Sequence, residues 1–499
     1  MTEQQTSYRQ IMKATSLFGG VQVFNIVIQV VRSKFVALLL GPTGMGISGL
    51  LYSTIGLIKG FTDFGLGTSA VKDIAAANVT GDQIKISTVA TVIRRLVWIT
   101  GTLGSLVIMV LSSWLSQLTF GNHNYTFAYI WISITLLFNQ ISSGQMVLLQ
   151  GMRKLQHLAK ANLAGSTLGL ITTIPLYYIW GLKGIVPGII VTSVITLALS
   201  WYFSHKVKLQ PVKVSYASTI TEGKSMLNMG FMISLSGTIT ILSSYVVRIF
   251  IRNHGGIEQV GFYNAGFTLL DTYVGLIFVA MGTDYYPRLT AIAQNNVLCK
   301  ETINQQVEIA ILILAPILVV FLTFINLAIV ILYSTKFIPI NEMIYWASLG
   351  VFFKAPGWAI GFILLAKGKA KLFFWNEVIA IAYFLGLNLL GYYFWGLSGL
   401  GISYLIGYFI YSLQMFFLSR SKFEFSFSNE LIRIFFIQFL LAVGGFLTVR
   451  FLKGPFPYAL GLVLIAFSGW YSFKELDKRL SIRSILIEVK DRYFKKKEQ

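Results

Sequence analysis

Long apolar segments recur along the whole chain, separated by short polar stretches and by Gly and Pro turns. The segments are about 20 residues long, which is the length that an α-helix needs to cross a bilayer. A membrane β-strand would instead alternate apolar and polar residues over about ten positions. The pattern therefore predicts fourteen transmembrane helices, at 13–40, 45–71, 89–114, 126–149, 159–180, 184–204, 226–251, 259–283, 305–332, 341–366, 372–395, 397–418, 430–451 and 456–473.

The composition agrees with a chain whose solvent is the bilayer. Hydrophobic residues make up 55% of the 499 residues and charged residues only 12%, against about 25% charged residues in soluble domains. The first ten residues are polar, and no small-residue cleavage site follows the first apolar segment, so we expect that helix to be a retained anchor. The single cysteine, Cys299, excludes an intrachain disulfide.

The positive charges predict the orientation of the chain. Of its 40 Lys and Arg residues, most fall in the N-terminal tail, the even-numbered loops and the C-terminal tail. The positive-inside rule then places both termini in the cytoplasm. The net charge of +21 is thus mainly topology, together with a basic tail at 490–497 that can touch anionic headgroups. It needs no nucleic-acid partner.

The sequence also repeats itself at a nearly constant offset. The segment Trp180–Gly184 recurs as Trp395–Gly399, and Val30-Val31-Arg32 recurs as Val246-Val247-Arg248. The offset spans six helices, so the two copies have the same orientation, as in the parallel repeats of transporters. We predict an N-terminal lobe at 1–215, a C-terminal lobe at 216–425, an appended helix pair at 426–475 and a basic tail at 476–499.

Polar side chains form a stripe on the first helix of each repeat. At 100° per residue each set lies on one helix face. Two interpretations stay open: walls of a central cavity, or polar contacts between packed helices with the arginine reaching toward the interface. The stripes comprise Gln22, Asn25, Gln29 and Arg32 on helix 1 and Ser234, Thr238, Tyr245 and Arg248 on helix 7.

Other charges at membrane depth are expensive and therefore point to function. Lys59 and Asp63 are spaced i,i+4, so they either neutralise each other or are separated when an anionic substrate binds Lys59. Lys354, Asp271 and Glu377 need partners from other helices. Because cations outnumber acids inside the predicted helices, an anionic substrate is favoured, and Arg matches phosphate oxygens bidentately.

Enzyme chemistry finds little support in the sequence. The four histidines lie in loops or at helix ends without metal-ligand spacing, and no GxxxxGK[ST] loop is present to hold ATP. We therefore expect no enzyme and no metal or other cofactor.

The opening of the chain resembles a known family. A first helix with an arginine, the segment Leu40–Gly46 and the segment Asp63–Gly67 are similar to Wzx-type polysaccharide and O-antigen flippases. These belong to the multidrug/oligosaccharidyl-lipid/polysaccharide exporter (MOP) superfamily. The resemblance implies alternating-access transport of an undecaprenyl-pyrophosphate-linked oligosaccharide to the periplasmic leaflet, with glycan polymerase machinery as a further partner.

The resemblance also implies roles for residues. Cationic residues of a central cavity would bind pyrophosphate, and Arg32, Lys59, Arg248 and Lys354 fit that role, with Gln22, Asn25, Gln29 and Tyr245 as polar lining. Proton or Na⁺ coupling would use Asp63, Asp271 or Glu377. A cation-coupled drug or metabolite antiporter of the same fold is the main alternative, and it predicts an acidic cavity. A membrane-embedded glycan polymerase or ligase predicts a large periplasmic loop.

Overall fold

Helices account for nearly all of the chain, and glycines mark most of the breaks between them. The computed structural model describes residues 3–480, and within this range it contains no β-strand. The predicted basic segment at 490–497 lies outside the described residues. The α-helices are α1 (Glu3–Leu39), α2 (Gly41–Thr62), α3 (Leu66–Val79), α4 (Gln83–Val110), α5 (Ser112–Phe120), α6 (Thr126–Gly151), α7 (Leu155–Trp180), α8 (Ile185–His205), α9 (Tyr216–Phe267), α10 (Gly275–Ala291), α11 (Asn296–Leu332), α12 (Asn341–Ala366), α13 (Ala370–Phe423), α14 (Asn429–Phe451) and α15 (Phe456–Leu480).

The apolar helices agree with a polytopic membrane protein. Ten segments in the described part of the chain are long and apolar enough to cross a bilayer. Three of them, Leu155–His205, Gly237–Ala291 and Ala370–Phe423, are 51 to 55 residues long, enough for two crossings each. They break at Gly181, Gly256 and Gly396, all at positive φ. With α2 as a further 22-residue helix, the all-α polytopic prediction is confirmed.

The predicted second span is divided in the structure. Phe64 and Gly65 have φ values of 51° and 62°, a left-handed pair that ends α2 and starts α3 as a separate helix. A Cβ at Gly65 would collide with the carbonyl oxygen of Gly230, so only glycine permits this close approach. The apolar pattern showed one continuous segment because both helices are apolar.

The internal repeat reappears in the backbone geometry. Gly181 has φ 55° and ψ −131°, and its counterpart in the second copy, Gly396, has φ 58° and ψ −136°. The turn before α7 and the turn before α13 also match, because Lys154 N–H donates to the Leu149 carbonyl and Lys369 N–H donates to the Leu364 carbonyl, both at 2.8 Å. Two copies of one six-helix unit are expected to share backbone dihedral angles and turn hydrogen bonds at equivalent positions.

The chain forms two compact units. Unit 1 comprises the residues up to Asn264 with Leu332–Lys336, and unit 2 comprises Ala265–Ile331 and the residues from Phe337 onward. Most of α9 thus belongs to unit 1. This division follows contacts and not the repeat, so the predicted lobe boundaries at 215 and 425 stay predictions.

The appended pair α14 and α15 is anchored in unit 2 near both ends. Arg450 near the end of α14 pairs with Glu342 at 3.3 Å, and Arg479 near the end of α15 pairs with Glu308 at 2.8 Å. Between these ends, Gln438 of α14 exchanges buried hydrogen bonds with Ser468 of α15. The pair is therefore integrated into unit 2.

Candidate functional site

The polar stripe of α1 lines a cavity inside unit 1. The cavity has a volume of about 450 Å³ and lies among α1, α2, α7 and α8. Asn25, Gln29 and Arg32 all face it, whereas the exposed Gln22, one turn earlier, is not part of its wall. Ser166 of α7 donates a hydrogen bond of 2.9 Å to Asn25 Oδ1. The structure thus brings three of the four predicted α1 residues to one cavity.

The opposite walls of this cavity come from residues that sequence reasoning missed. Hydroxyl groups of Ser48, Tyr52, Ser166, Thr192 and Thr196 line it. On an apolar helix such residues often bond their own backbone, as Thr196 does with the Thr192 carbonyl at 2.8 Å. Their spacing of four on α8 was the available signal. Sequence alone could not show that they face α1.

Arg32 is the positive group in this cavity. Its Nε is buried and finds no hydrogen-bond acceptor among the described residues. Among the same residues, no Asp or Glu lines the cavity. Gly169 gives the guanidinium room, because a Cβ there would lie 3.4 Å from Nη2. A buried donor without an acceptor costs about 1–3 kcal/mol. An anion that enters the cavity can recover this energy.

Arg248, the repeat counterpart of Arg32, is hydrogen-bonded through two of its three nitrogens within unit 1. Its Nε donates to Asn264 Oδ1 at 2.9 Å, and its Nη1 donates to the Ser244 carbonyl at 3.0 Å. The guanidinium also lies 5.3 Å from the centre of the Tyr263 ring. These contacts hold α9 together across its kink at Gly256. In this conformation Arg248 therefore stabilises α9.

A local twofold symmetry explains the difference. A Cβ at Gly46 of α2 would collide with the Ile257 carbonyl oxygen, and a Cβ at Gly261 would collide with the Pro42 carbonyl oxygen. Gly46 corresponds to Gly261 in the repeat, and Pro42 corresponds to Ile257. The start of α2 and the end of α9 therefore cross about a pseudo-twofold axis.

The same symmetry pairs Gly49 with Asn264. These two positions are also related by the repeat, and a Cβ at Gly49 would collide with the Asn264 side-chain amide. Asn264 supplies the acceptor for Arg248, whereas its counterpart Gly49 has no side chain to offer Arg32. The two arginines therefore occupy comparable positions in the repeat, but Arg248 Nε has an acceptor and Arg32 Nε has none among the described residues.

Tyr245 does not line the α1 cavity and is only 3% exposed. Its hydroxyl lies 2.5 Å from Thr119 Oγ1, and Thr54 Oγ1 lies 3.0 Å from the Tyr129 hydroxyl. Thr119 and Thr54 connect the two pairs at 3.5 Å. Here the packing interpretation of the helix 7 stripe is the better one, because polar groups that are buried satisfy one another.

Lys59 and Asp63 form no ion pair in the structure. Asp63 instead accepts a hydrogen bond of 2.6 Å from the buried Gln140 Nε2, which also reaches Thr100 at 3.0 Å. Lys59 makes no hydrogen bond or ion pair with any residue of the described range. Of the two open interpretations, mutual neutralisation is therefore not what this conformation shows, because an amide donor from α6 binds the Asp63 carboxylate in place of the lysine.

Lys354 finds its partner in Asp271 of unit 2. The two groups are 3.2 Å apart, with the Lys354 side chain 18% exposed and that of Asp271 53% exposed. Lys354 also donates to the Tyr404 hydroxyl at 3.3 Å and lies 5.2 Å from the Tyr408 ring centre. Asp271 lies on a π-helical segment, Thr268–Val274. Such segments occur often at functional sites.

Glu377 is held by a separate set of donors in unit 2. The Tyr411 hydroxyl donates to Oε1 at 2.8 Å, and Asn376 Nδ2 lies at 3.3 Å. Tyr404, Tyr408 and Tyr411 lie on one face of α13 and connect the surroundings of Lys354 with those of Glu377. Their i, i+4, i+7 spacing was visible in the sequence, but aromatic residues at this spacing usually indicate packing.

Among residues 3–480, no cluster of three or more His, Cys, Asp or Glu side chains could hold a metal ion. The absence of a metal or cofactor stays a prediction for the chain as a whole.

The polysaccharide biosynthesis protein family matches residues 11–293 of the chain. The chain belongs to this family. The match covers more than half of the sequence, and it includes α1, α2 and the pseudo-twofold contact with α9. The family assignment confirms the relationship that the Leu40–Gly46 and Asp63–Gly67 segments indicated.

Similar proteins of known identity are flippases and exporters. The Lipid III flippase of Escherichia coli strain K12 is 20% identical over 351 residues, which is 69% of this chain and 82% of that protein. A solved structure of the Lipid II flippase MurJ in an inward closed conformation has a TM-score of 0.69 at 11% identity, covering 94% of this chain and 99% of MurJ.

The fold also extends to drug exporters. An inward-facing multidrug resistance MATE family transporter of the MOP superfamily has a TM-score of 0.64 at 16% identity, covering 82% of this chain and 96% of the transporter. At such identities the structural likeness shows the fold alone. The fold is that of the MOP superfamily, and with ten helices long and apolar enough to cross a bilayer the protein is a multi-pass membrane protein.

Proposed function

We propose that this protein is a flippase that moves an undecaprenyl-pyrophosphate-linked oligosaccharide, an O-antigen or common-antigen-like unit, from the cytoplasmic to the periplasmic leaflet by alternating access. Both termini would then be cytoplasmic, and the protein would act as a transporter without enzyme chemistry. Glycan polymerase machinery would take up the translocated unit.

One observation carries this proposal: Arg32 is a cation without an acidic partner in a cavity lined in part by hydroxyl and amide side chains. Its buried Nε lacks an acceptor in the described chain, and hydroxyl and amide groups surround it. Arg binds phosphate oxygens through two parallel hydrogen bonds, while hydroxyl and amide groups suit sugars. An exporter of organic cations would need an acidic cavity, and the lining within the described range contains no Asp or Glu.

The relatives support the substrate class. Their names, Lipid III flippase and Lipid II flippase, specify lipid-borne cargo. Parallel six-helix repeats of transporters place the site near mid-membrane, and Arg32 lies about two turns before the end of α1. The lipid tail would remain in the bilayer, because only the headgroup is too polar to cross unaided.

Within this proposal the cations differ in role. Within unit 1, Arg32 and Lys59, which pairs with no described acid, would be the candidate pyrophosphate contacts. Within unit 2, Lys354 would become available to an anion after its release from Asp271. Arg248 would position α9. Asp63, Asp271 and Glu377 would be candidates for proton or Na⁺ coupling, with Asp271 the most direct because an anion that attracts Lys354 would free its carboxylate.

Complementation of a strain that lacks its O-antigen or common-antigen flippase tests the proposal. The readouts are surface glycan and accumulated lipid-linked precursor, with the wild type, Arg32→Ala, Arg32→Lys and, as a one-charge control on an outer loop, Lys183→Gln. We expect rescue by the wild type and Lys183→Gln, loss with Arg32→Ala and partial rescue with Arg32→Lys. Failure of the expressed wild type in several glycan backgrounds would contradict the flippase and favour the antiporter.

A further inference from the structure

A second cavity of unit 1 lies away from Arg32, on the other side of α8. It has a volume of about 590 Å³ and is bounded by α3, α4, α6 and α8. Thr192 and Thr196 of α8 face the Arg32 cavity, whereas Val194 and Ala198 face this one. We call it the α4–α8 pocket. The flippase proposal assigns no role to it.

The α4–α8 pocket is polar at one end and apolar at the other. α4 begins, and α6 and α8 end, on the same side of the unit, and near that side the pocket is lined by Arg94, Gln145, Ser204 and His205. Farther along the helices its wall is apolar, with Leu137, Phe138 and Val194. From Val194 to His205 the pocket extends about 16 Å along α8. This is the layout of a headgroup followed by an acyl chain.

The polar end has groups available for an anion. Arg94 is exposed and makes no hydrogen bond or ion pair with any described residue, whereas its neighbour Arg95 donates to Thr219 Oγ1 at 2.8 Å. Gln145 accepts a hydrogen bond of 2.5 Å from Ser200, and its amide nitrogen donates to no described residue. No acid lines the pocket in the described chain.

Exposed indole side chains flank the mouth of the pocket. Trp98 and Trp201, both of which line it, are 54% and 57% exposed, and the His205 ring lies 5.1 Å from the Trp201 ring. Indole side chains concentrate at the headgroup level of membranes. Basic pockets between transmembrane helices bind anionic headgroups. The surrounding membrane supplies such lipids without any further partner.

We propose that the α4–α8 pocket binds an anionic phospholipid, with the phosphate at Arg94 and Gln145 and one acyl chain along α8. The small side chain of Ala198 leaves the space that the chain fills. Bound in this way, the phospholipid is a structural ligand of unit 1 and not a transported substrate.

Native mass spectrometry of the full chain, released from phosphatidylcholine nanodiscs titrated with phosphatidylglycerol, tests the site. We expect one tightly bound phosphatidylglycerol on the wild type. Arg94→Gln removes the headgroup charge and should weaken its binding about fivefold, as one basic side chain near a membrane surface contributes. Ala198→Trp should fill the chain site and remove the bound lipid.

Lys183→Gln is the matched control, because it removes one charge just before the other end of α8 and should leave binding unchanged. Phosphatidylglycerol binding at the wild-type level in both Arg94→Gln and Ala198→Trp would overturn the site. Displacement of phosphatidylglycerol by equimolar undecaprenyl phosphate, with Arg94→Gln losing the polyprenyl lipid, would also overturn it and reassign the pocket to a polyprenyl carrier. Flipping in the complementation assay is a separate readout, so the two proposals can fail independently.

Discussion

Arg32 and Arg248 occupy comparable positions in the two repeats, yet their surroundings differ. Arg248 has Asn264 as an acceptor at 2.9 Å, whereas the buried Nε of Arg32 has no acceptor in the described part of the chain. The difference traces to one pair of equivalent positions, because Asn264 corresponds to Gly49. A duplicated fold can thus keep an arginine in both copies while one copy stabilises the helix and the other stays available for a ligand.

The largest expected effect separates these two roles. Arg32→Ala should lower the flipping rate about ten- to a hundredfold, because charged hydrogen bonds contribute about 1.5–3 kcal/mol. The thermal unfolding midpoint should stay at or rise above the wild-type value, because the variant removes a buried donor that has no acceptor among the described residues. Arg248→Ala should instead lower the thermal unfolding midpoint and leave the flipping rate near the wild-type value. The measurements are protection of a lipid-linked precursor in proteoliposomes and unfolding of the purified protein.

Lys183→Gln controls for the loss of one charge in this comparison. If Arg248→Ala slows flipping as much as Arg32→Ala without loss of stability, both arginines contact the substrate and the structural role of Arg248 is wrong.

The pseudo-twofold contact supplies the next test. Gly46→Ala and Gly261→Ala should each lower the free energy of unfolding by about 3 kcal/mol, near the upper end for overpacking, because the added Cβ meets a backbone carbonyl and not a flexible side chain. Denaturant unfolding in detergent measures both variants. Gly20, with no atom within 4 Å of a Cβ, is the control for glycine replacement.

Similar losses at Gly46 and Gly261 would support the symmetry of the crossing. A loss at one position and none at the other would show that the two contacts are not equivalent, and the comparison of Gly49 with Asn264 would lose its basis.

Asn264→Ala tests the acceptor that distinguishes the arginines. It removes the partner of Arg248 Nε and should lower the free energy of unfolding by about 1–2 kcal/mol, since the Ser244 carbonyl still accepts from Nη1. Asn264→Asp keeps the acceptor for Arg248 but loses the donor of the 3.3 Å hydrogen bond from Nδ2 to the Met45 carbonyl, so it should recover only part of the loss. Equal stability of the wild type and Asn264→Ala in the same unfolding assay would show that the hydrogen bond contributes nothing.

More of the fold than of the candidate site could be predicted from the sequence. The length of the apolar segments predicted the all-α fold, because bilayer thickness fixes the length of each transmembrane helix. The repeated Trp-Gly-Leu-x-Gly turn predicted the duplication, because a glycine turn is determined by the few residues that form it. The stripe on α1 predicted Asn25, Gln29 and Arg32 on one face for the same reason. The opposite wall, from Ser166 to Thr196, depends on which helices pack together.

Partner choice was the part that local patterns could not decide. Lys59 and Asp63 have the spacing of an ion pair, yet Gln140 from α6 binds the carboxylate. Tyr245 has the position of a cavity residue, yet Thr119 of α5 buries its hydroxyl. In both cases the competing group comes from a helix that is distant in the chain.

The smallest expected effect concerns Lys354, the cation of unit 2 that resembles neither arginine. Asp271→Asn should change the free energy of unfolding by less than about 1 kcal/mol, because the carboxylate is half exposed and the pair is correspondingly screened.

If Asp271 couples transport to an ion, the same variant should abolish the dependence of flipping on an imposed proton or Na⁺ gradient, measured in proteoliposomes. Glu377→Gln is the matched control within unit 2, since Tyr411 can still donate to the amide oxygen. Gradient dependence that survives in Asp271→Asn but disappears in Glu377→Gln would move the coupling site to Glu377 and leave Lys354–Asp271 as a packing pair, comparable with Arg248 and Asn264.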